Sequence, residues 1–205
     1  MLKPIAFMLC ILAGLVVSCS RDNESASPRD IADSKTTSLQ KEECAVYSVL
    51  LNAAYVGNDP DPVIIDDRSS LEGISIKDID QHLNDLERVL QRSDVNVLTK
   101  SFVAVNEQPK HLQDCFNLKV KTILLRQEEV DDIIKTPGGW GRFLAKYPGQ
   151  SLVWLSRIAF DPEMNKALVY TGKESGGKAG QGSFILLLKE NGAWILKFTI
   201  VSWKS

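Results

Sequence analysis

Near the end of the chain, apolar runs at residues 183–189 and 194–203 flank Asn191-Gly192, and this pairing constrains the fold more than any other feature. Asn-Gly between apolar runs signals a type I′ hairpin, because both central residues must accept positive φ. With a two-residue loop, Lys189 opposes Trp194, Leu187 opposes Leu196, and Ile185 opposes Phe198. The other side then collects Phe184, Leu186, Leu188, Ile195, Lys197, Thr199 and Val201. Both sides are largely apolar, whereas an antiparallel sheet with one wet face alternates apolar with polar. Either helices cover both sides, or one side lines a pocket or receives a partner. A one-residue slip in register would exchange the faces.

Residues 152–160 and 166–171 read as two further strands, joined through Asp161-Pro162 and followed by a Gly-rich loop, so the last third predicts an antiparallel meander. Ahead of it, residues 42–55 place Val46, Leu50 and Ala53 on one helical stripe, and Gly57-Asn58-Asp59-Pro60 ends that helix. Residues 63–66 read as a short strand. Residues 76–90 read as an amphipathic helix with Ile79, Leu83, Leu86 and Leu90 on its face. Residues 93–116 predict a partly irregular segment, 119–125 a strand, and 127–147 a helix interrupted at 136–139. The expected fold class is α+β, with N-terminal helices packed on a C-terminal antiparallel meander sheet. Residues 41–205 are long enough for one globular domain with its own core.

Several motifs in the C-terminal part, Leu155-Ser156-Arg157, Ala167-Leu168-Val169-Tyr170 and Lys189-Glu190-Asn191-Gly192-Ala193-Trp194, together with residues 140–148, resemble a group of small exported bacterial proteins of unassigned function. The resemblance extends more weakly to residues 46–66. In that group the Gly-rich loop often contains cysteines; residues 175–180 here have none, so cysteine chemistry in the loop does not carry over. The resemblance implies no catalytic role. The Lys-x-x-Gly-x-Trp hairpin is also similar to the last hairpin of the nuclear-transport-factor-2-like cone folds, which implies a curved sheet around a pocket.

The N-terminus predicts an address. Lys3 gives a positive start, residues 5–17 are almost unbroken apolar, and Val16-Val17-Ser18-Cys19 resembles a bacterial lipobox. About thirteen apolar residues make ~20 Å of helix, short of the ~30 Å hydrocarbon core, so residues 1–18 read as a signal peptide. Cys19 would then be the lipidated first residue of the mature chain. Ordinary secretion with cleavage before Cys19 is the alternative. Two or three acyl chains such as palmitate, at ~0.8 kcal/mol per buried methylene, would anchor the protein durably. Ser20 in place of an inner-membrane retention aspartate favours the outer membrane, facing the periplasm. Residues 19–40 carry few large apolar side chains and read as a flexible tether.

Processing leaves Cys44 and Cys115, a pair that predicts one disulfide in an oxidising compartment; two buried free thiols are the alternative. Closing a loop of about seventy residues would stabilise the fold by ~4 kcal/mol. The chain has 24 basic and 26 acidic residues, a net charge of −2 that gives no argument for a nucleic-acid partner.

Chemistry-bearing motifs are sparse. Gly172, Gly176, Gly177, Gly180 and Gly182 lie in a loop without the Walker spacing and ahead of a strand, so it reads as a flexible hairpin loop, and Lys173 and Lys178 in it could contact an anionic surface. Asp59, Asp61, Asp66 and Asp67 lack the oxygen ligand and glycine at the positions an EF-hand requires, and read as turn residues and a solvated strand end. His82 and His111 form no metal pair, and neither a metal nor a cofactor is expected. Ser156 beside Arg157 has no Gly-x-Ser-x-Gly context. Arg157 is either a sheet-edge charge or a buried guanidinium that recognises an acidic group. Arg157, Lys173 and Lys197 are the candidate ligand or partner contacts. The expectation is a membrane-anchored cell-envelope lipoprotein, non-enzymatic, binding an envelope protein or a small ligand. The alternative is an envelope hydrolase with a pocket on the C-terminal sheet.

Overall fold

The computed structural model describes residues 28–56, 61–176 and 179–205, with side chains from Thr37 onward except Asp78. The signal peptide and Cys19 lie outside the described residues. The chain divides into two units, Met1–Thr36 and Thr37–Ser205. Of the first, residues 28–36 are helical. Among the described residues no helix is long and apolar enough to cross a membrane.

The first helix, α1, spans Pro28–Ala54, so it starts well before the expected residue 42. Residues 28–36 belong to the first unit and not to the globular one, consistent with the expected tether. Proline is favourable at a helix start, where its missing N–H would have no partner anyway. At the compact end, the Gln40 amide donates a hydrogen bond to Gln113.

A mixed sheet of seven strands runs in the order β2-β1-β3-β5-β6-β7, with β4 paired to β5. The strands are β1 Val63–Asp66, β2 Thr122–Leu125, β3 Leu152–Leu155, β4 Ala159–Phe160, β5 Lys166–Ser175, β6 Ala179–Glu190 and β7 Ala193–Lys204. The α+β class and the meander β3-β5-β6-β7 are as the sequence indicates. Beyond the meander, β1 pairs in parallel with both β2 and β3, which the sequence pattern did not show. All four β1 residues are buried, as a parallel strand covered on both faces requires.

Helices cover both faces of the sheet. On one side Val46, Tyr47, Leu50 and Leu51 of α1 meet Val63, Ile65, Val153, Leu155, Val169 and Leu187. On the other, α2 (Ile79–Leu83) and α3 (Arg92–Asn106) set Leu83, Leu98 and Phe102 against Leu168, Tyr170, Phe184 and Ile200. Further along that face, α4 (Gln127–Lys135) and α5 (Gly139–Lys146) set Val130, Ile133 and Phe143 against Ile64, Leu152 and Trp154. The alternation of Leu152 and Trp154 with Val153 and Leu155 assigns each strand residue to its layer. The expected helix over 76–90 is broken into a 3₁₀ turn, α2 and a second 3₁₀ turn. In the segment taken as partly irregular, residues 92–106 form α3, held by Val95, Leu98 and Phe102 at helical spacing.

Asn191 and Gly192 have φ of 51° and 80°, the positive values that the hairpin predicts. Lys189 opposes Trp194 and Leu187 opposes Leu196, as expected. A bulge then leaves Lys197 without an opposite residue, so Phe198 pairs with Leu186 and Thr199 with Ile185. This shifts Phe198 to the α3 side and leaves Val201 45% exposed on the edge strand. The Gly-rich stretch is largely strand: Gly172 pairs with Gly182, and Glu174 with Gly180. Added Cβ atoms at Gly73, Gly180 and Gly182 would fall 2.6, 2.8 and 2.2 Å from the Trp203 indole. The three glycines thus form a slot for that ring. Trp203 donates to the Tyr170 hydroxyl at 2.7 Å, and Tyr170 donates to the Glu72 carbonyl at 2.6 Å.

Cys44 and Cys115 form a disulfide with Cα atoms 5.6 Å apart. It joins α1 to the segment between α3 and β2.

Candidate functional site

The parallel strands place their carboxyl ends together, and in open sheets with parallel strands the space outside those ends is where ligands collect. Here β1 ends in Asp66 and passes into the loop 67–73. The strand β2 ends in Leu125 and passes through Arg126 into α4, whose Val130 packs in one cluster with Ile64 of β1. Between the loop and α4 lies a crevice of about 480 Å³. Its polar lining comes from Asp66, Arg68, Ser69, Ser70, Glu72, Gln127, Asp131 and Lys135, and its apolar lining from Pro109, Val130, Ile134 and Trp154.

Asp66 is 2% exposed, and its Oδ1 accepts the Arg68 backbone N–H at 3.0 Å. Burial pushes its carboxyl up to about 6, against the pull of the Arg68 N–H bond; the neighbouring charge of Asp67 pushes it further up, Arg68 pulls down, and Asp131 adds a smaller upward push. A buried carboxylate without full compensation is expensive, and such groups collect at functional sites.

Trp154 is 1% exposed, and its indole N–H donates to no group among the described residues. Its Nε1 is not one of the enclosed side-chain atoms without a hydrogen-bond partner, so the little of Trp154 that stays open includes its N–H, on the crevice that the residue helps to line.

Around these two groups several other polar side chains are already settled. Asp131 takes Lys135 at 2.8 Å and Gln127 at 3.1 Å. Ser69 is 3% exposed, and its hydroxyl accepts the Lys110 N–H at 2.8 Å. Backbone contacts Ser69–Lys110 and Leu112–Asp67, with the bridge Arg68–His111, fasten the loop to the disulfide-bearing segment. Arg68 and Glu72 form no ion pair among the described residues.

The sequence-indicated residues lie elsewhere. Arg157 is half-buried in a cleft of about 20 Å³ beside Cys44, Cys115 and Tyr47. Its Nε is enclosed without a hydrogen-bond partner among the described residues, and no ion pair involves it there. The cleft holds about one water. Lys173 is exposed, with its ammonium 5.8 Å from the Tyr55 ring centre. Lys197 is exposed at the bulge and pairs with Glu190 at 3.2 Å. None of the three lines the crevice.

Ser156 is fully buried, its hydroxyl donating to the Arg157 carbonyl at 2.8 Å and accepting the Tyr170 N–H at 2.8 Å. It stitches the break between β3 and β4 to β5, and these two hydrogen bonds commit its oxygen to the backbone. His82 packs on Phe184, while His111 sits 3.6 Å from Asp67. Among the described residues, no three His, Cys, Asp or Glu side chains gather as metal ligands.

A second cleft, about 330 Å³ between α4 and α5, carries charges that already pair across it: Asp132 with Arg142 at 2.6 Å and Glu129 with Lys146 at 3.7 Å. The crevice at Asp66 differs in holding a buried carboxyl that receives a single backbone N–H. Sequence reasoning took Asp66 for a solvated strand end. The signal was present, since a carboxylate closing the apolar run Val63-Ile64-Ile65 sits where a parallel strand would deliver it. No family model, curated protein or solved structure matches this chain.

Proposed function

We propose that this chain is a bacterial cell-envelope lipoprotein, anchored through Cys19, whose globular unit is a non-enzymatic binding domain with its ligand in the Asp66 crevice. The anchor rests on the lipobox-like Val16-Val17-Ser18-Cys19 and the short apolar run before it. The outer membrane, facing the periplasm, is the favoured location, because Ser20 follows the lipidated residue. The Cys44–Cys115 disulfide suits an oxidising compartment.

The observation that carries the binding half is the buried Asp66 carboxyl beside the unpartnered Trp154 N–H in one open crevice. The Asp66 carboxyl is buried with a single backbone donor, and the Trp154 N–H opens into the same crevice without a protein acceptor, so a ligand with matching donors and acceptors would engage both. Catalysis has no comparable support, because the serine that a hydrolase would use is committed to backbone hydrogen bonds.

Mass spectrometry of the mature N-terminus, from cells expressing the full chain, tests the anchor. The expected product begins at Cys19 with diacylglycerol on sulfur, and Cys19→Ala abolishes the modification and releases the protein from membranes. A mature chain beginning at an unmodified Cys19 would reduce the protein to a secreted one.

A further inference from the structure

We propose that the crevice at Asp66 binds a free, lysine-like diamino acid. This rests on the reading of that crevice as the binding site.

The inference follows from which lining groups remain uncommitted. Asp131 and Lys135 neutralise each other at 2.8 Å. Ser69 is spent on Lys110. What is left is two carboxylates, Asp66 and Glu72, one guanidinium, Arg68, and one donor without an acceptor, the Trp154 N–H. Their complement is a molecule with two cationic groups and one anionic group. A single carboxylate on the ligand can take both remaining donors, because each of its oxygens accepts independently and arginine presents several N–H groups to it. Two ammonium groups then answer Asp66 and Glu72.

The apolar part of the lining fits the same class. Val130, Ile134 and Pro109 are on the crevice wall, and Ile134 is 40% exposed although it is a large aliphatic residue. A methylene stem between the two charged ends of the ligand would cover such a surface, as lysine side chains do on proteins. A neutral sugar would leave Asp66 without a counter-charge, and a simple diamine would leave the guanidinium and the indole N–H unanswered.

The test is isothermal titration of the full, lipidated chain in detergent with four probes: L-lysine, L-norleucine, cadaverine and N-acetylglucosamine. L-Lysine is expected to bind saturably. Norleucine, which lacks the second ammonium, and cadaverine, which lacks the carboxylate, are each expected to bind at least about tenfold more weakly. Asp66→Asn keeps the shape and the Arg68 N–H contact but removes the charge, and should weaken lysine binding by about tenfold or more; Arg68→Ala, at an exposed position, should also weaken it. If N-acetylglucosamine binds in an Asp66-dependent way and lysine does not, the ligand class is overturned and the crevice stands as the binding site. If no probe binds, or lysine binding is indifferent to both substitutions, the crevice fails as the site and the ligand class falls with it.

Discussion

Two aspartates stand at turns beside the sheet, both almost wholly buried, and the fold treats them in opposite ways. Asp161 is 5% exposed, and its carboxylate accepts the N–H groups of Asn165 and Lys166 at 2.7 Å each and the Lys166 ammonium at 3.0 Å. Burial pushes that carboxyl up, but the Lys166 backbone and side-chain bonds and the Asn165 bond outweigh it, and the group lies below its ordinary value. Asp66 is 2% exposed and receives a single backbone N–H, and its carboxyl is held up at about 6. Equal burial therefore does not mean an equal role. A carboxylate surrounded by its own donors fastens a turn, whereas one left with spare acceptor capacity in an open crevice is available to something else.

The largest expected effect comes from removing the fastened member. Asp161→Ala leaves the N–H groups of Asn165 and Lys166 without their charged acceptor and the Lys166 ammonium with only Asp94, 3.7 Å away, and should lower stability by about 3–5 kcal/mol in urea denaturation. Asp66→Asn should act in the other direction. A folded value of about 6 against an ordinary 3.8 corresponds to about 3 kcal/mol. Below about pH 4 the proton is on Asp66 in both folded and unfolded chains, so the substitution changes little. As pH rises the unfolded chain ionises first and the folded state falls behind, so the wild type loses stability until the pH passes about 6. Asp66→Asn should therefore be more stable than the wild type by up to about 3 kcal/mol at pH 8 and equal to it near pH 4. Equal stability at both pH values would mean that Asp66 is compensated after all, and the contrast with Asp161 would collapse. The smallest effect, and the sharpest, is expected for Lys166→Met. It should cost about 1–2 kcal/mol and raise the Asp161 carboxyl toward the behaviour of Asp66, read by carboxyl NMR titration.

The same contrast shows what the sequence can carry. The hairpin at Asn191-Gly192 was legible because its positive φ values are demanded locally, by two adjacent residues. Its pairing held for Lys189–Trp194 and Leu187–Leu196, then failed at the bulge, which no neighbouring residue type announces. Gly180 and Gly182 read as loop residues because the reason for them, the Trp203 indole, comes from the strand beyond the hairpin. The cysteine pair was legible by counting. Asp66 was visible as a residue, but its burial was not, because the cover comes from α4 and the segment around Lys110, each brought there by pairing between distant strands. The two parallel pairings of β1 escaped for the same reason: a four-residue apolar run does not say which neighbours it will take.

The indole slot has a consequence for the order in which the molecule can be completed. Gly73, one residue beyond the crevice-lining Glu72, packs against Trp203, and the Glu72 carbonyl is held by the Tyr170 hydroxyl that Trp203 also engages. A chain that emerges N-terminus first delivers the crevice loop well before its brace on β7. Until β7 arrives, no indole fills the gap among the three glycines. The crevice then takes its final form only after β7 is in place, and a chain interrupted before Trp203 presents a loosened version of it.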